Sequence, residues 1–137
     1  MPYRVIDHTA DTGIRVWGRN KQHLFTEAAR AMFELIADTG RVSCKQTKDL
    51  YIEGLDLTDL LINWLRELLF LWSAEQLLLR SARIVEMTDN ALSAQAFAEP
   101  FDPEKHVIYT DIKAVTYHGA EAAPSGSGWE ATVIFDV

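Results

Sequence analysis

The stretch TDLLINWLRELLFLWSAEQLL (Thr58–Leu78) is apolar around nearly its whole circumference, and its reading decides the fold. Leu60, Leu61, Trp64, Leu65, Leu68 and Trp72 fall on several sides of a 3.6-residue helix. A helix of that kind lies at the centre of a domain or under a partner chain. Asn63, Arg66 and Glu67 interrupt the run, so it does not read as a membrane span. Asp56 or Thr58 serves as the N-cap, and Asp59 places a negative charge in the first turn, where the helix dipole favours it. If Arg66 and Glu67 lie beneath the apolar covering, each needs a polar partner. The reading adopted is a helix sandwiched by sheet, with an oligomeric face as the alternative.

The flanks supply the sheet. Tyr3 to His8 and Gly13 to Arg19 read as strands, Ile14 and Val16 pointing one way and Arg15 and Trp17 the other. From Asn20 the period becomes helical. Leu24, Phe25, Ala28, Met32, Phe33 and Ile36 form a stripe, with Asn20 as cap and Gly40 as stop. Val42 to Glu53 reads as strand, with a polar turn predicted inside it at Lys45–Asp49. Beyond the apolar helix, Ala82 to Met87 and Ala91 to Phe97 form a hairpin about Thr88-Asp89-Asn90. Glu99 to His106 reads as a loop. Ile112 to His118 and Trp129 to Val137 close the chain as alternating strands, joined by a loop of small residues. The order β-β-α-β-α-β-β-β-β predicts an α+β fold with a largely antiparallel sheet, built as one domain over residues 1–137.

Composition narrows the function. Twenty acids against thirteen bases leave a net charge of −7, poorly matched to a phosphate backbone and better suited to a cationic protein or a metal. No stable direct nucleic-acid binding and no membrane association are expected. Cys44 is the only cysteine, which leaves no intramolecular disulfide and fits a reducing compartment; a buried small thiol is the expected role. No charged and apolar leader opens the sequence, so a soluble, cytoplasmic protein is expected.

Chemistry concentrates at Asp7-His8-Thr9-Ala10-Asp11-Thr12-Gly13. Asp, Thr and Gly suit a tight connection, and an Asx-turn with a capping Asp accounts for them. Two carboxylates flanking an imidazole are nevertheless more than a turn requires. Far away in sequence, Phe135-Asp136-Val137 ends a strand on an acid, with further carboxylate and carbonyl oxygens beside it. Hard cations such as Ca²⁺ take such oxygens, although a lone terminal Asp also suits a solvated strand end. A hairpin symmetric about its loop would set Lys113 near Ile134 and one same-face step from Asp136. A register slip of one residue would separate them. His118 is a candidate acid/base group or a half-buried histidine with a satisfied ring; His106 and His23 read as surface residues. No zinc spacing, phosphate loop or nucleophile elbow is present.

Four ordered motifs then carry a resemblance. Asp7–Ile14, Leu60-Leu61-Ile62-Asn63-Trp64-Leu65, Ile112–His118 and Val133-Ile134-Phe135-Asp136-Val137 resemble the archease family from end to end. Thr12 stands where the family often has an aliphatic residue, and Asp111 where it often has Glu. The resemblance implies an α+β fold with one strand-helix-strand-strand module nested in another. It implies an accessory protein, not an enzyme, that activates the RtcB-type RNA ligase of tRNA splicing by promoting its guanylylation and multiple turnover. It further implies a divalent metal, Ca²⁺ first with Mg²⁺ or Mn²⁺ as alternatives, held by Asp11, Asp136 and an oxygen of Val137. Lys113 is implied in ligase activation together with Asp11 and Asp136, and His8, His118 and Asp111 in support. A monomer or weak oligomer is expected. Two readings compete: a small metal-dependent phosphoester hydrolase, and a non-catalytic interaction module using the face around Trp64 and Trp72.

Overall fold

The computed structural model describes residues 2–7 and 11–137. Seven strands and two helices follow in the order β1 (Tyr3–Asp7), β2 (Asp11–Gly18), α1 (Lys21–Ile36), β3 (Gln46–Glu53), α2 (Leu57–Ser73), β4 (Leu77–Met87), β5 (Ala91–Pro100), β6 (Ala114–Ser125) and β7 (Gly128–Asp136). The element order and the α+β class are those predicted. The strands divide into two antiparallel sheets, β1-β2-β7-β6 and β3-β5-β4. Both helices touch both sheets, so they form the filling between them.

That placement explains α2. Leu60, Leu61, Ile62, Trp64, Leu65 and Leu68 are all fully buried, and the Trp64 indole N–H donates to the Phe25 carbonyl on α1 at 3.0 Å. A helix with sheet on two sides and a helix on a third has few positions for polar side chains. Arg66 and Glu67 occupy the exposed remainder. Arg66 Nε donates to the Val115 carbonyl at 3.0 Å, and its guanidinium lies 4.5 Å from the centre of the Tyr117 ring. It thereby occupies a carbonyl on β6, an edge strand; a capped edge is a poorer template for strand addition.

Several boundaries differ from the predicted ones. The apolar run does not stay helical to Leu78. Gln76 takes a left-handed conformation (φ 58°) and turns the chain, so Leu77, Leu78 and Leu79 open β4 and are buried there. Helix α1 ends at Ile36, well before Gly40, because Ala37 is extended and bridges Ile108. The polar segment Gln46–Asp49 is strand, paired in register with β5 from Gln46 opposite Ala98. Cys44 is exposed, not buried, and its thiol reaches only the Gln46 carbonyl at 3.9 Å. No helix among the described residues is long and apolar enough to cross a membrane.

Candidate functional site

The first sheet brings the two ends of the chain together. Strand β2 pairs with β7, and Asp11 lies directly opposite Asp136. Directly opposed residues of an antiparallel pair have Cα atoms about 4.5–5.5 Å apart, and their side chains leave on the same face. Ile14 and Val16 on β2, with Val133 and Phe135 on β7, are fully buried against the helices. Asp11 and Asp136 have the other parity, so they stand on the outer face at the end of the sheet. Asp136 is exposed and Asp11 half-buried.

Like charges directly opposite destabilise a strand pair. Among the described residues, no cationic side chain forms an ion pair within 4.0 Å of either acid. A cation would relieve that repulsion, and oxygen donors are what a hard cation takes. No group of three or more His, Cys, Asp or Glu side chains placed to hold a metal ion occurs among the described residues. A cation held here therefore needs oxygens beyond the two side chains, and Val137, adjoining Asp136 and 36% exposed, is the adjacent source.

Lys113 meets the same place by a different register from the one predicted. Ile134 pairs with Thr116, and Asp136 pairs with Ala114. The Lys113 amide donates to the Asp136 carbonyl at 2.7 Å, which ties the residue just before β6 to the Ala114–Asp136 pair. The symmetric hairpin fails because β6 carries surplus residues. Between Thr116 and Glu121 the register shifts, with Gly119 in the left-handed region at φ 65°. Its other end closes tightly at Ser125–Gly128, with Gly126 at φ 58° as the first turn residue, the pattern of a type II′ hairpin. Lys113 is exposed and forms no ion pair within 4.0 Å among the described residues.

The remaining predicted residues scatter. His118 sits in the shifted segment, exposed, its amide bonded to Thr116 Oγ1 at 3.3 Å. Asp111 is exposed two residues before Lys113. His8 lies outside the described residues. The backbone of Asp7 ends β1 opposite Thr12, one position away from Asp11.

Two polar clusters escaped sequence reading. His106, read as a surface residue, is buried, and so is Glu99 at 2% exposure. His106 Nδ1 accepts from the Asp102 amide at 2.9 Å, which leaves Nε2 to face Glu99 Oε1 at 2.5 Å. Lys105 Nζ lies 2.8 Å from Glu99 Oε2 and the Ser43 amide 3.2 Å from Oε1. The Lys105 hydrogen bond, opposed by burial and reinforced by His106 and Ser43, holds Glu99 down at about 2. This cluster anchors the segment that leads to Lys113. Between β6 and the first turn of α2, Tyr117 donates to Asp59, which also accepts from the Leu55 amide at 2.8 Å. The phenol's hydrogen bond lowers the Asp59 carboxyl and raises Tyr117 in turn. Acid-base spacing rules catch neither cluster, because their members come from separate elements.

Comparison with known proteins gives the family and agrees with the fold. Residues 3–137 match the family model described as the archease protein family (MTH1598/TM1083). The archease of Methanosarcina barkeri is 34% identical over 139 residues, covering 98% of this chain and 95% of that protein. That of Pyrococcus abyssi is 38% identical over 136 residues, covering 96% and 95%. The solution structure of Methanobacterium thermoautotrophicum protein 1598 superposes with a TM-score of 0.82 at 31% identity, covering 99% of each chain. A Thermotoga maritima protein described as an archease and possible chaperone shares the fold, with a TM-score of 0.63 at 20% identity and coverage of 98% and 96%. Matched by the family model over residues 3–137 and by full-length relatives at 34% and 38% identity, the chain belongs to the archease family.

Proposed function

We propose that this protein is an accessory factor that activates an RtcB-type RNA ligase by promoting guanylylation of the ligase's histidine. The observation that carries the reading is the direct pairing of Asp11 with Asp136 at an exposed sheet end. These are the two acids that the family resemblance assigns to metal. Asp11, Asp136 and an oxygen of Val137 would hold a divalent cation, Ca²⁺ in the first instance. Bound there, the cation supplies positive charge for nucleotide phosphate oxygens. The chain's own contribution is to hold two carboxylates at one end of a rigid sheet, with the Lys113 backbone hydrogen-bonded to that of Asp136. An acidic tip of this kind is complementary to a basic cleft.

Single-turnover guanylylation of the ligase from the same organism tests the reading. Asp11→Ala, Asp136→Ala and Lys113→Ala are each expected to lower the stimulated rate at least tenfold while leaving the unstimulated rate alone. Full stimulation by all three folded variants would sink it.

A further inference from the structure

The outer face that carries Asp11 and Asp136 continues along the sheet in an ordered pattern. One same-face step inward is an apolar row, Ile6 opposite Gly13 opposite Ile134. Ile134 is 6% exposed, yet it stands apart from the helix-facing core. It packs on Gly13, where a Cβ would come within 2.6 Å of Ile134 Cδ1. A further step brings Arg4 directly opposite Arg15, both exposed. The next brings Trp17, half-buried, opposite Glu130.

Arg4 facing Arg15 is the informative pair. Like charges directly opposite weaken a strand pair, and neither arginine has a carboxylate within 4.0 Å among the described residues. A nearby acid was available to the fold: Glu130 sits one step from Arg15 on the neighbouring strand without forming such a pair. The Arg–Arg row lies four residues from the acid row, about 13 Å at the usual rise of a strand. One face thus carries an acid pair, an apolar row of which Ile6 alone is half-exposed, a basic pair and a half-buried indole in line.

Resting on the reading above, we propose that this outer face is the docking surface for the protein whose active site the acidic tip serves. Arg4 and Arg15 would meet carboxylates on that partner. Exposed arginines beside a half-exposed isoleucine and tryptophan are side chains enriched at protein interfaces. Both signs of charge along one line fix the direction in which the partner is laid down. Single-stranded RNA suits the face less well, because Glu130 stands beside Trp17 where a phosphate backbone would run.

The test measures ligase guanylylation against activator concentration, with the ligase of the same organism, at low and high salt. Arg4→Glu/Arg15→Glu is expected to raise the half-maximal concentration at least tenfold at low salt. The rate at saturation should stay within twofold of wild type, because the tip is intact. Arg80→Glu/Arg83→Glu, on the other sheet, should change neither. Arg4→Gln/Arg15→Gln, which removes charge without reversing it, should fall between and guards against a misfolded double mutant. An unchanged half-maximal concentration for both variants overturns the docking face while leaving the tip's role standing. No stimulation by the wild-type chain removes both. Loss of binding to a labelled single-stranded RNA, or of a wild-type dimer in sedimentation, with half-maximal concentration unchanged, assigns the face to another occupant and overturns the proposal.

Discussion

Glu99 and the Asp11–Asp136 pair solve the problem of a carboxylate in opposite ways. Glu99 is 2% exposed and gathers a lysine, an imidazole and a backbone amide from its own chain. A second lysine, Lys45, lies 3.5 Å away. Every charge there has its answer within the fold. Asp11 and Asp136 face each other at a sheet end, and among the described residues no cationic group comes within 4.0 Å. Burial demands compensation, since an unpaired charge in the interior is very costly, whereas water tolerates an unanswered pair at the surface. The contrast separates a carboxylate used to hold the fold from a pair that the described residues of the chain leave without a cationic partner.

Breaking the compensated site should have the largest effect. Glu99→Ala removes the acceptor and leaves His106 buried with an unanswered N–H. Loss of one member of a buried ionic cluster costs about 3–5 kcal/mol, to be read from urea denaturation. The same change should unpin the segment leading to Lys113. Faster hydrogen exchange at the Tyr109 amide, which donates to the Ile36 carbonyl at 2.7 Å, would report it. A loss under about 1 kcal/mol would show that the cluster contributes little.

Acid tests the same cluster without mutation. Glu99 sits at about 2 in the folded chain against an ordinary value of 4.5. Its folded value is depressed, so folding favours the ionised form. That contribution is fully present above about pH 4.5 and is lost as pH falls toward 2. Wild-type stability should drop more steeply across this window than that of Glu99→Gln, as measured by denaturation at a series of pH values. Parallel slopes would break the assignment.

How much of this the sequence disclosed depends on how local the cause is. The apolar circumference of α2 and the caps Asn20 and Asp56 are local, and both caps accept the expected backbone bonds, from His23 and Asp59. The meeting of Asp11 with Asp136 is long-range. It followed from the family motifs, since no spacing rule connects positions so far apart. The Lys113 register failed because a shifted segment inside β6 leaves no mark in hydrophobic alternation. Arg4 opposite Arg15 was within reach, because the two lie symmetrically about the connection after β1. His106 was misread because its Asp102 and Glu99 partners form only after the loop has closed back on itself.

The smallest expected effect bears most directly on the tip. In the absence of divalent cations, Asp136→Asn removes one of two like charges from a direct cross-strand pair. Such pairs are unfavourable by about 0.2–1 kcal/mol, so the variant should be as stable as the wild type or slightly more so. Adding Ca²⁺ should then reverse the order. A ligand that binds only the folded chain at a hundredfold excess over its Kd stabilises by about 2.7 kcal/mol, and this gain should appear in the wild type alone. Thermal melts with chelator and with Ca²⁺, run on both proteins, measure both effects. If Asp136→Asn is markedly less stable in chelator, the carboxylate is satisfied within the chain after all. The tip would then resemble Glu99, and an outside cation would no longer be needed to explain it.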